Sequence, residues 1–209
     1  MLTKEPGPKR AALEFRETTL SSFRFLEAMG FRPVEEKVTF VRYESSEIFV
    51  NVYHGQASYE LGLEIGRLDE PQTKLYLEDV VAWAGAEKAE GFGQHTMFQV
   101  NSQVGVHEFV PKIAALLKKY GLPLLRNDKE AFAAAKALQS SRAKALTKEF
   151  NMRGVRTKAE AAWRAKDYAQ VVELYDPVRD DLTNVEAKKL AYAEQQVTGS
   201  VGSCATRKR

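Results

Sequence analysis

The chain has one cysteine in 209 residues, Cys204, which excludes an intramolecular disulfide and the paired thiols of a Cys-rich zinc site. A reducing, cytoplasmic setting is the expectation. Apolar runs are short as well. The longest stretch of apolar or glycine residues is Val80 to Ala86, far below the roughly 20 residues that cross a bilayer. The opening residues before Lys9 contain no apolar core of a signal peptide, so no membrane association and no secretion signal are expected. Neither sign of charge dominates. With 31 basic and 28 acidic side chains the net charge is +3, too weak to imply a nucleic-acid partner by itself. Hydrophobic residues make up 44% and charged residues 28%, which excludes wholesale disorder and fits an ordinary globular chain.

Motifs of common chemistries are missing too. There is no Gly-x-x-x-x-Gly-Lys-Ser/Thr, and Gly91-Phe-Gly93 lacks the third glycine and the following helix of a dinucleotide site. No cofactor is expected. The histidines are His54, His95 and His107, and none has an i, i+4 partner that would place two ligands on one helix face, so no metal site is expected. Cys204 stands in a small, polar, basic tail with nothing to lower its pKa, which argues against a catalytic thiol.

What is present is unevenly placed charge and a change of period. Residues 1–125 carry 14 basic and 17 acidic groups, whereas residues 126–209 carry 17 basic and 11 acidic. The stretch 126–158 holds nine of those basic groups. It reads as a solvated helix face or as a phosphate-binding strip, and the first reading makes nucleic acid a poor candidate partner. Residues 9–29 have helical spacing at Leu13, Leu20, Phe23 and Leu26, closed by Gly30. Three β-rich segments follow, around Val38 to Tyr43, Ile48 to Tyr53 and Tyr59 to Gly66, separated by polar breaks. They predict a three-stranded antiparallel meander with one buried and one open face. Pro71 closes it, and Leu75 to Ala84 predicts a short helix stopped by Gly85. Residues 85–105 read as a mobile connection with a short strand at Met97–Val100.

Helices are then predicted over Val106–Tyr120, with Pro111 placing the regular start near itself, and from Lys129 to about Met152, punctuated by Gly154. Capping boxes are read at Asn127–Glu130, Thr157–Glu160 and Thr183–Glu186. The fold class is α+β: an N-terminal helix, a three-stranded antiparallel meander, then helices with a C-terminal helical hairpin appendage. The organisation expected is an α+β domain over 1–125, a helical region over 126–197 and a disordered basic tail over 198–209. The appendage can begin near 126 or near 155.

Two stretches carry resemblances. Ala161-Ala-Trp163, Lys166-Asp-Tyr168 and Val171-Val-x-Leu174-Tyr175 are similar to a single tetratricopeptide-type helical hairpin. Only about one and a half units are present, whereas a solenoid needs roughly three, so the hairpin is expected to dock on its own domain or on a second copy. The segments Val41-Arg-Tyr-Glu-Ser45, Ile48 to Tyr53, Ser58-Tyr-Glu-Leu61 and Leu63-Glu-Ile-Gly66, with a Leu-Leu-Lys-Lys-Tyr-Gly helix ending, resemble small uncharacterised bacterial proteins of the immunity-protein type. That resemblance implies a protein-binding role and transfers no catalytic residue.

The candidate binding residues are Phe49, Asn51, Tyr53, His54, Glu60 and Glu64. Alternation puts Phe49, Asn51 and Tyr53 beside Glu60 and Glu64 on the open sheet face, aromatic groups within an acidic rim, which suits a basic protein partner. The other reading has a helix after residue 75 covering that face and making Phe49 and Tyr53 core. Glu60 and Glu64 are four residues apart on one strand, roughly 13 Å, too far for a glycosidase pair. His54, at a strand end near Glu60, is the one candidate general base, and no nucleophile accompanies it. Trp83 and Trp163 read as core anchors. The leading expectation is a non-enzymatic cytoplasmic protein that occludes a basic partner. The alternatives are an adaptor or homodimer working through the C-terminal hairpin, and a small-molecule enzyme with a site near His54.

Overall fold

The computed structural model describes residues 8–87 and 98–203, so His95, Met97 and Cys204 lie outside the described residues. It is α+β and divides into two compact units, Met1–Ser140 and Ser141–Arg209. The division falls inside one helix, between the positions 126 and 155 that sequence punctuation offered.

In the first unit, α1 (Pro8–Ala11) and α2 (Phe15–Ser22) precede a 3₁₀ segment, Arg24–Met29, which Gly30 caps. The single helix expected over 9–29 is thus broken. Glu14 takes a left-handed conformation, φ 54°, and no regular helix passes through such a residue. The sheet is larger than the expected meander. Strands β1 (Arg32–Lys37), β2 (Phe40–Glu44), β3 (Ile48–His54), β4 (Glu60–Arg67) and β5 (Lys74–Tyr76) pair in sequence order, every pair antiparallel. Strand β6 (Phe98–Gln99) pairs with the start of β4. Sequence reasoning missed β1 because Arg-Pro-Val-Glu-Glu-Lys is charged and carries a proline. Those are features of an edge strand, which is where β1 lies. It missed β5 because three residues are too few to establish a period. The chain after Pro71 therefore returns to the sheet, and the following helix, α3 (Leu77–Trp83), starts later than expected.

Helix α4 (Gln103–Tyr120) begins eight residues before Pro111, not near it. Ser102 sets the start, its hydroxyl accepting from the Gly105 amide at 3.2 Å. After α5 (Leu122–Leu125) comes α6 (Lys129–Arg164), whose cap is Asp128 rather than Asn127. The Asp128 carboxylate accepts from the amides of Glu130 and Ala131, both at 3.0 Å, while Asn127 is left-handed and accepts from Arg67. One face of the sheet, through Val41, Tyr43, Val50, Val52, Leu63 and Ile65, packs against Phe15, Phe23, Leu26, Val80, Val110, Ile113 and Leu117 to form the main core. Trp83 packs partly buried against it, as an anchor.

In the second unit α6 continues through Gly154 and Thr157 without a break. The Thr157 hydroxyl donates back to the Arg153 carbonyl at 3.0 Å instead of capping a new helix. Helix α7 (Tyr168–Tyr175) is capped by Asp167, a 3₁₀ segment runs over Asp176–Asp181, and α8 (Asn184–Ser203) follows. The Thr183–Glu186 box forms in both directions, Thr183 N to Glu186 Oε2 at 2.7 Å and Glu186 N to Thr183 Oγ1 at 3.3 Å. Because α8 reaches Ser203, residues 198–203 are helical rather than a loose tail. Ala159, Ala162, Val171, Tyr175, Leu190 and Ala193 form this unit's own core, with Trp163 packed against it.

The cap assignment is testable. Asp128→Ala should lower stability by about 1 kcal/mol in urea unfolding, and Asp128→Ser should recover most of the loss.

Candidate functional site

Strand β3 divides its side chains between two surfaces. Ile48, Val50 and Val52 enter the main core, while Phe49, Asn51 and Tyr53 point to the second face. Pairing with β4 sets Phe49 opposite Gly66, Asn51 opposite Glu64 and Tyr53 opposite Gly62. The two glycines let the rings lie flat across the neighbouring strand. A Cβ at Gly66 would stand 2.5 Å from Phe49 Cζ, and one at Gly62 would overlap the Tyr53 ring. Phe49 is consequently fully buried although it has no place in the main core, and the Arg42 guanidinium lies 4.3 Å from its ring centroid.

A polar row crosses the middle of this face. Arg42 Nη1 donates to Asn51 Oδ1 at 3.3 Å, and Asn51 Nδ2 donates to Glu64 Oε2 at 2.9 Å. Lys74 Nζ reaches the same Glu64 oxygen at 2.8 Å, and Arg42 Nε pairs with Glu44 Oε1 at 2.6 Å. Asn51 is 3% exposed and uses both halves of its amide, so its burial is compensated. Glu64 is therefore a neutralised member of the row rather than a free rim carboxylate. Tyr53 is half-buried beside it. Burial pushes its phenol well above the usual range, reinforced first by the Glu60 and Glu64 carboxylates and then by Glu78 and Tyr76. Tyr76, at the end of β5, is 39% exposed. Phe49, Asn51, Tyr53, Glu60 and Glu64 thus share one surface, with the rings set into it, Glu64 in its central row and Glu60 at the start of β4.

His54 does not join them. Next to Tyr53 in an alternating strand, it turns to the opposite face and is 1% exposed. Its Nε2 lies 2.7 Å from the Val100 carbonyl and its Nδ1 3.2 Å from Arg10 Nη1. A guanidinium can only donate, so Nδ1 accepts and the proton sits on Nε2. Both nitrogens are occupied, which leaves His54 without the free lone pair of a general base, and no contact with Glu60 orients it. Arg10, also buried, donates through Nη2 to the carbonyls of Gly55 (2.9 Å) and Gln56 and lies 3.5 Å from the Tyr59 ring centroid. Phe15 stacks on the imidazole at 5.6 Å. This box fastens α1 to the β3–β4 turn and to Val100. Burial, with Arg10 beside it, pushes the His54 pKa below its ordinary value, against the opposing pull of the Val100 and Tyr59 carbonyls.

Arg10, Arg42, Lys74 and Tyr76 were not legible as partners from sequence. Arg10 is 44 residues from His54, and Lys74 belongs to a strand too short to read. The glycines at 62 and 66, opposite aromatic positions, are the one local signal of a ring layer. His107, on α4, lies in an exposed pair with Glu14 at 3.2 Å. Among the described residues no cluster of His, Cys, Asp or Glu is arranged to hold a metal ion, and no helix is long and apolar enough to cross a membrane.

Two measurements follow. Gly62→Ala should cost about 1–3 kcal/mol in urea unfolding, and the cost should shrink in a Tyr53→Ala background, because the clash is with that ring. For His54 the folded-state pKa lies below the unfolded value near 6.5, so the unfolded chain binds the proton first. Stability should be level above about pH 6.5 and fall below it by up to about 1.4 kcal/mol per pH unit until the folded pKa is reached. The extra slope should vanish in His54→Gln when unfolding is followed across that range. No protein-family model, curated protein or solved structure matches the chain, so its functional reading rests on this geometry.

Proposed function

We propose that the chain is a non-enzymatic protein-binding module that occludes a basic partner with the second face of its sheet, in the manner of an immunity protein. One observation carries the reading: strand pairing puts Tyr53 and Tyr76 on one face with Glu60 and Glu64, and the central row of that face is already held by its own hydrogen bonds. A surface fixed in advance loses little side-chain entropy on binding, and partly exposed tyrosines beside carboxylates suit a cationic partner. On this face Arg42 pairs with Glu44 and Lys74 with Glu64, so these four charges cancel one another. Glu60 adds a carboxylate to that face. The occupied nitrogens of His54 weigh against the enzyme alternative at that position.

The experiment is photo-crosslinking from position 76 of the full chain in source lysate. A basic protein should be captured, and Glu60→Lys should weaken its binding about tenfold. Glu64 is avoided because its reversal would also break the Arg42–Asn51–Glu64–Lys74 row. Capture of an acidic protein, or capture that ignores the charge at position 60, would contradict the proposal.

A further inference from the structure

The second unit carries a surface of opposite character, built independently of the sheet. Trp163 near the end of α6, Tyr168 at the start of α7 and Tyr192 on α8 form a closed triangle of rings. Their centroids are 5.8, 5.6 and 5.6 Å apart and each pair is edge to face, at 69° to 72°. They floor an open groove of about 710 Å³ lined by four cationic side chains and one carboxylate. That carboxylate, Glu160, is engaged: Lys189 Nζ reaches it at 2.5 Å and Arg164 Nε at 3.4 Å. Lys189 also lies 5.5 Å over the Trp163 ring. Lys166 and Lys188 line the same groove, are exposed, and have no ion-pair partner among the described residues. Val185, 65% exposed, adds an apolar side chain to the wall.

We infer that this groove binds an acidic segment of a partner protein, in which carboxylates meet Lys166 and Lys188 while an aliphatic side chain packs against Val185 and the ring triangle. Charge decides between the possible occupants. A second copy of the chain placed groove to groove would set cations against cations. A single-stranded nucleic acid needs open ring faces on which bases stack. Here each ring turns an edge to its neighbour's face, and Lys189 takes up a face of Trp163. An acidic, partly apolar peptide uses both the unpaired ammonium groups and the apolar floor. This inference is independent of the sheet-face proposal, since the surface, the unit and the sign of charge all differ.

The test uses the full chain and a fluorescein-labelled peptide of about eight residues alternating Glu and Leu, read by anisotropy. Saturable binding is expected, weakening about tenfold or more when Lys166→Glu and Lys188→Glu are combined, with circular dichroism unchanged. Lys144→Glu, which makes on α6, away from the groove lining, the same charge change as either groove substitution alone, should leave affinity as it was. Replacing Leu by Ser in the peptide should also weaken binding, because the ring triangle then packs against nothing apolar. Absence of saturable binding, or equal loss with Lys144→Glu and with the groove pair, would overturn the inference. So would an oligothymidylate of equal charge that binds more tightly and displaces the peptide. A peptide-blocked self-association that the groove lysines do not affect would overturn it as well.

Discussion

Strand β4 is the constraint on which the first unit depends. It pairs with β3 along its length, with β5 at one end and with β6 at the other, so its register fixes three neighbours. Its alternation does two separate things. Leu61, Leu63 and Ile65 supply one side of the main core, where burying each side chain contributes about 1.5–3 kcal/mol. Gly62 and Gly66 leave shallow places on the other side into which Tyr53 and Phe49 fold down. A slip of one residue would exchange the two sets, burying glycines and exposing leucines, so a single register satisfies both faces.

That double use explains why the outer face is neither a conventional core nor an ordinary wet surface. Phe49 is removed from water outside the main core, with Gly66 beneath its ring and the Arg42 guanidinium beside it. The polar row keeps the layer in place: Asn51 cannot turn without losing both Arg42 and Glu64. The same economy of partners governs the His54 box. A buried guanidinium there satisfies backbone carbonyls at a turn and fixes the imidazole's tautomer. Among the described residues of the second unit there is no strand, and Trp163, Tyr168 and Tyr192 pack on one another, which leaves their rim to lysines.

Much of this was legible in the sequence, for physical reasons that differ by element. β3 and β4 were readable because their apolar residues alternate cleanly, and the shared face of Phe49, Asn51, Tyr53, Glu60 and Glu64 follows from that alternation. The Thr183–Glu186 box was readable because its chemistry is local. What was not legible depends on partners far along the chain or on too few residues. β5 has three residues, β1 is disguised by its edge charges, and Glu64's neutralisation requires Lys74 from that unread strand. His54 reads as a candidate because it stands at a strand end near Glu60, yet in a strand its one-residue offset from Tyr53 puts it on the opposite face. Gly154 and Thr157 suggested a helix break, but a glycine in a helix costs only about 1 kcal/mol and a long, otherwise favourable helix absorbs it.

The central physical claim is that the outer sheet face is a fixed layer with buried rings and exposed margins. Residue-resolved hydroxyl-radical footprinting of the free chain tests it directly. Phe49 should be protected to the level of the core residue Phe23 while Tyr76 is readily modified. Modification of Phe49 at a rate approaching that of Tyr76 would show that the ring does not lie down on Gly66, and would contradict the layer on which the binding proposal stands.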